Sequence, residues 1–463
     1  MADEPAARRL ARFVLGLRLD EVPAGVVTQA SLLALDTLGN ALAAVREDFG
    51  QAVLDVAERL GGAPESALLG RAHRVAAANA VLANATLAHG LDFDDTREDA
   101  IVHTGCVAVT TALAAGEAVG ANGRAVLEAL IAAVEVMCRV GLAVPGALHA
   151  RHFHPTSITC SFAAAAAAGR LHGLTEDQLV HAFGICGSQA GGIIEYLADG
   201  TWTKRLHPGW GAHAGVVAVQ LARAGFTGPA SVLEGEHGLY AGFAGGHDAG
   251  RLAGLLDSLS RTWELSELTL KPYPCGSIAQ PYMDCAARLR ERVKPGEIAA
   301  IRCRTAAGPV PRLWEPLGAK HAPPNGYAAK FSLPYLIATI LVRGRAGLAE
   351  FADPAVRDAG VLAVTRRVTY ELDPTIDYPR QFVGDVEITL TDGRVLRERQ
   401  DRPRGGPDAP LTRAEIEAKF RGNAGLVLPS ARVEAVIRAV DGLAAGAPLA
   451  DLLASLTPER TSP

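Results

Sequence analysis

Cysteine is sparse and unpaired: seven residues in 463, scattered from Cys106 to Cys303 with no CxxC. That excludes a disulfide framework or a zinc ribbon and fits a reducing compartment. No apolar run reaches the ~20 residues of a membrane-spanning helix. The opening Met-Ala-Asp-Glu-Pro-Ala-Ala-Arg-Arg lacks the apolar core of a secretory signal, so a cytoplasmic location is expected. Forty-five basic and fifty acidic residues leave a net charge of −5 with no block of one sign, which argues against a nucleic-acid partner. Neither a Walker A loop, a GxSxG elbow nor a Rossmann fingerprint occurs, so nucleotide dependence has no support. Lysine is scarce as well. Only six of the basic residues are lysines, at 204, 271, 294, 320, 330 and 419.

What is present is a large apolar fraction, 49%, in a chain long enough for two or three domains. The thirteen histidines all fall between His73 and His321, twelve of them before residue 248. Histidine moves protons near neutral pH, so chemistry is expected in that region.

From about Val22 to Leu256 the pattern is helical, with Ala-rich runs at 75–88, 107–119, 124–142 and 161–171. After about Trp263 it changes. Ile298–Arg304 and Val368–Leu372 read as strands, and Val386–Leu390 with Val395–Glu398 reads as a hairpin around Asp392-Gly393. Tyr327–Val342 between them predicts one amphipathic helix, and Leu411–Phe420, Ala431–Val440 and Pro448–Leu456 return to helix. The expected fold is mainly α with an α+β part: a helical domain over 1–262, an α+β lid over 263–407, and a tail over 408–463 rejoining the helices.

Several polar clusters interrupt this background. In Ala88-His-Gly-Leu-Asp-Phe-Asp-Asp-Thr-Arg-Glu-Asp99, helical spacing would place His89, Asp92, Thr96 and Asp99 on one face. Gly90 alternatively ends the helix there, leaving the acids to cap the next element. His103 lies within reach. Asp94, Asp95, Glu98 and Asp99 could also form a magnesium–diphosphate motif. No companion motif is found, and 5% aromatics is thin for a carbocation-binding site. Arg151-His-Phe-His154-Pro offers an HxH pair without a third and fourth metal ligand, or a turn before a helix. Lys204-Arg205-Leu-His207 sets three cationic or titratable groups together, and Pro208-Gly209 is expected to break the chain after them. Partly buried, such a lysine has a lowered pKa suited to proton transfer; the same residues could simply make an anionic surface contact. Lys271-Pro-Tyr-Pro-Cys275-Gly-Ser-Ile-Ala-Gln280 marks entry to the α+β region as a stiff link.

Together these segments resemble the MmgE/PrpD family of 2-methylcitrate dehydratases, cis-aconitate decarboxylases and an iminodisuccinate epimerase. The resemblance runs through Leu10-Ala-Arg-Phe-Val, Leu35-Asp-Thr-Leu-Gly, His89–Thr96, His154-Pro-Thr-Ser, Lys204–Trp210, Lys271–Cys275 and Tyr327–Pro334. It implies a discontinuous all-helical domain carrying the site, an α+β lid, a homodimer, and no metal or organic cofactor. It also implies catalytic positions at Asp92, Thr96, His103, His154 and Lys204. Arg97, Arg205, His207, Lys271 and Gln280 are the expected substrate-binding residues. Gln280 stands where the decarboxylase branch carries a lid histidine, and Arg97 where histidine or tryptophan often follows the threonine. The expected partner is a small di- or tricarboxylate, and the expected activity a hydro-lyase dehydrating a β-hydroxy acid. A family epimerase or decarboxylase is the alternative, and a non-catalytic dimeric carboxylate-binding protein the alternative of another class.

Overall fold

A computed structural model describes residues 4–378 and 381–456. The chain divides into two compact units, one running to Leu268 and resuming at Thr412, the other spanning Thr269–Leu411. The sequence places the corresponding junctions at 262/263 and 407/408.

The first unit is built on α1 (Ala24–Ala44), α2 (Ala77–His89), α3 (Gly105–Val119), α4 (Gly123–Leu142), α5 (Pro155–Leu171) and α6 (Thr203–Arg223). Helix α5 is central, flanked by α3, α4 and α6. Its alanines 163–168 are completely buried, and small side chains let the surrounding helices approach closely. Glycine does the same on α6. A methyl at Gly211 would collide with Cys160 of α5, and one at Gly209 with Leu82 and Thr86 of α2. This helical unit also carries a two-residue antiparallel pairing of Ser66–Ala67 with Arg74–Val75.

Contrary to the expectation at Pro208-Gly209, α6 runs unbroken through both residues. Proline removes a single donor, the one aimed at the carbonyl four residues back, and it lies less than two turns from the helix start. Packing against α2 and α5 outweighs that loss. Lys204 and His207 thereby stand one turn apart on the same helical face.

The second unit holds a four-stranded sheet of β1 (Ile298–Thr305), β2 (Val368–Leu372), β3 (Gly384–Leu390) and β4 (Val395–Gln400), ordered β2-β1-β3-β4. Strands β1 and β2 are parallel, with Ile301 opposite Val368, and the other pairs are antiparallel. The hairpin turns at Asp392-Gly393, where Gly393 has φ of 88°. Helices α7 (Gln280–Arg290) and α8 (Leu333–Arg343) complete its core around Trp314, Tyr282 and Met283. The single helix expected over Tyr327–Val342 is two pieces, Gly326–Ala329 and α8. Ser332 Oγ accepts from Tyr335 N at 3.1 Å and caps α8, with Pro334 in its first turn. Residues Leu333–Leu341 are all buried, so this helix is a core element and not an amphipathic one.

Candidate active site

Helix α2 stops at His89, and the acidic segment leaves it as a loop. The shared helical face is therefore not formed, and the loop places each carboxylate separately. Asp92 sits at φ of 56°, the left-handed region that non-glycine residues seldom occupy. Its Oδ1 accepts from Lys204 Nζ at 3.2 Å. His89 Nδ1 donates to Asp94 Oδ2 at 2.6 Å, with both side chains fully buried. Asp95 caps α3: it accepts from Thr104 N at 3.0 Å, Thr104 Oγ1 at 2.7 Å and Gly105 N at 2.8 Å. Buried Asp94 and Asp95 are thus engaged by protein donors, which removes the diphosphate-motif reading.

His103 and Thr96 meet in the same place. His103 Nδ1 donates to the Asp95 carbonyl at 2.7 Å, with Thr96 Oγ1 at 3.3 Å. A carbonyl only accepts, so the Nδ1 proton is fixed, and in the neutral ring Nε2 carries the lone pair. His89 Nε2 is a buried atom without a hydrogen-bond partner among the described residues.

His154 is the N-cap residue of α5, with Pro155 in the first turn. Its neighbour in the HxH pair, His152, is exposed, so the two do not converge on one metal position. His154 is buried and shares a 3.0 Å Nδ1–Nδ1 contact with His207 of α6. Two imidazoles so placed hold one proton between them. The His154 ring lies 5.7 Å from His89 and 6.3 Å from His103, and Tyr196 closes this cluster edge-on at 6.1 Å. Arg205 lies 4.3 Å over the Phe49 ring.

The remaining expected residues stand differently. Arg97 pairs with Glu264 at 3.0 Å and Asp99 at 3.2 Å, which commits its guanidinium within the first unit. Lys271 and Gln280 belong to the second unit, and both are buried. The Gln280 amide donates to the carbonyls of Tyr273 and Cys275 at 3.0 and 3.1 Å, fixing the Lys271–Cys275 link.

Sequence reasoning left His89, Asp94 and Tyr196 out of the site. The first two lie in the quoted motif, whereas nothing in the sequence pattern singles out Tyr196. His89, Asp94 and Cys106 also bring donor atoms within 4.8 Å of one another. Burial first, then the charges of Asp94 and Asp95, push the Cys106 thiol well above its usual range. Within this trio His89 is hydrogen-bonded to Asp94, and the Cys106 thiol donates to the His103 carbonyl at 3.4 Å.

Burial, then the nearby His89 and Lys204, lowers His207 to about 4, and His154 is pushed well below its usual range by burial and the same neighbours. Both are neutral at pH 7. Between about 6.5 and about 4 the unfolded chain binds a proton at His207 that the folded chain does not, so this residue destabilises the fold as pH falls. Asp95, raised to about 6 by burial and then by Asp94, acts in the opposite sense, its contribution being lost as pH rises through 6. His207→Gln is therefore expected to lose less Tm than the wild type between pH 7 and pH 5, both measured by thermal unfolding. An equal or larger loss would contradict the burial argument.

The chain matches the MmgE/PrpD N-terminal domain over residues 8–252 and the MmgE/PrpD C-terminal domain over residues 273–443. It belongs to the MmgE/PrpD family. It is 28% identical to a cis-aconitate decarboxylase of Mus musculus, across 94% of this chain and 89% of that protein. A cis-aconitate decarboxylase-like protein of Aspergillus oryzae is 24% identical across 97% of both chains. A 2-methylcitrate dehydratase-like protein of the same fungus is 33% identical over a shorter stretch, 34% of this chain and 33% of its own. Among the described residues no helix is long and apolar enough to cross a membrane.

Proposed function

We propose that this chain is a cofactor-independent lyase of a small di- or tricarboxylate that removes a proton from the carbon beside a carboxylate, with dehydration of a β-hydroxy acid as its main reaction. The observation that carries the reading is the meeting of Lys204, His103 and the neutral His154–His207 pair in one cluster of the helical unit. Deprotonation beside a carboxylate builds negative charge on that group in the transition state. Lys204, at the start of a 21-residue helix, adds its ammonium charge to the helix dipole there, and Arg205 follows it. Asp92 aims Lys204. Thr96 and the Asp95 carbonyl hold His103 with Nε2 able to accept a proton. His154 can move a proton along its contact with His207.

Near-full-length similarity to cis-aconitate decarboxylases favours decarboxylation as a second reading. Losing CO₂ leaves a carbanion that must be protonated, and Gln280, which by the resemblance stands where the decarboxylase branch carries a histidine, is an amide without a titratable proton. CO₂ release from cis-aconitate, assayed beside dehydration of citrate and 2-methylcitrate, separates the two. Dehydration is expected to dominate. Efficient decarboxylation with little dehydration would show that Gln280 does not decide the reaction.

A further inference from the structure

The acidic loop is gripped from behind by a residue far away in sequence. Lys419 lies on α9 (Arg413–Ala424), in the part of the chain that rejoins the helical unit. Its Nζ donates to the Phe93 carbonyl at 2.7 Å, pairs with Asp36 Oδ1 of α1 at 2.7 Å, and lies 3.7 Å from the Phe93 ring centroid. Asn40 Nδ2 donates to the same carbonyl at 3.1 Å, and Asn423 Nδ2 to Asn40 Oδ1 at 3.0 Å. Phe93, Asp36 and Asn40 are all buried. Two donors thus converge on one peptide oxygen in the middle of the loop.

The position of that peptide matters. Phe93 separates Asp92, which meets Lys204, from Asp94, which meets His89. Asp92 sits in a sparsely populated backbone region, and such conformations persist only where the surroundings over-determine them. We infer that Lys419 is a positioning residue: by fixing the Phe93 peptide it sets the aim of Asp92 at Lys204 and of Asp94 at His89. Lys419 is also one of only six lysines in an arginine-rich chain. The inference rests on the proposed catalytic role of Asp92 and Lys204, but it predicts a structural change that needs no turnover.

Removing Lys419 alone would strand the buried Asp36 charge, so the informative variant is Asp36→Asn with Lys419→Met, which leaves no unpaired ion. The first readout is the low-field proton NMR signal of His89 Nδ1–H, identified by its disappearance in His89→Gln. It is expected to shift or broaden in the double variant while thermal unfolding stays cooperative. The second is turnover of whichever carboxylate the wild type consumes. kcat should fall about 10²-fold with KM little changed, the scale of a misplaced catalytic group. In an Asp92→Asn background the same two substitutions should cost clearly less than about 10²-fold, because one of the two groups they aim is already gone. An unchanged His89 signal overturns the inference even if no substrate is ever found. So does a full loss that persists in the Asp92→Asn background.

Discussion

Lys204→Ala is expected to lower kcat/KM by at least about 10²-fold, the scale of losing one positioned catalytic group. The substitution removes the ammonium from the start of α6, where the carboxylate charge is expected to grow, and takes away the partner that Asp92 holds at 3.2 Å. Both side chains are largely buried, so breaking the pair also leaves an uncompensated charge, a loss that can reach about 3–5 kcal/mol of stability. Asp92→Asn with Lys204→Ala therefore belongs in the same experiment. It restores charge balance and should recover stability without recovering activity. Lys320→Ala is the comparison within a lysine-poor chain. That ammonium donates to the main-chain carbonyls of Arg312 and Phe331 at 2.6 and 2.8 Å in the other unit, and its loss should cost much less activity. Small and similar effects from both substitutions would remove Lys204 from the site.

His154→Gln is expected to reduce kcat by roughly 10²–10⁴-fold, the range for a group that transfers a proton in the transition state. Glutamine is long enough to keep a hydrogen bond toward His207, but it cannot take up or release a proton. A purely structural His154 would therefore tolerate the change. Steady-state kinetics at pH 7, where burial keeps His154 neutral, separates the two outcomes: a large fall in kcat with KM little altered, or near-wild-type turnover.

The parts of this architecture that can be read from sequence are those written in local patterns. The Asp392-Gly393 hairpin declares itself because only a glycine-tolerant turn joins two alternating runs so tightly, and the three C-terminal helices carry their own spacing. Elements decided by tertiary packing are the ones that differ. Pro208 reads as a stop, yet contacts with α2 and α5 carry α6 through it. Tyr327–Val342 reads as one helix because apolar periodicity does not register that Ser332 restarts it. In the site, the acidic motif names the right segment but not its geometry. Four of the five carboxylates from Asp92 to Asp99 have separate jobs: an ion pair, a histidine partner, a helix cap and, for Asp99, a contact with Arg97. Tyr196 and Lys419 join the cluster only through folding across more than forty and more than three hundred residues, so no local pattern could have marked them.

The central claim is that the helical unit abstracts a proton beside a carboxylate. Incubating the wild type in D₂O with a pool of di- and tricarboxylates, and reading the acids by mass spectrometry, tests it whatever product is formed. The account predicts that at least one acid gains deuterium at the carbon next to its carboxylate, even where net turnover is slow, and that His154→Gln and Lys204→Ala abolish the gain. A wild type that binds one of these acids yet leaves its mass unchanged would contradict the account and mark the chain as a carboxylate-binding protein without catalysis.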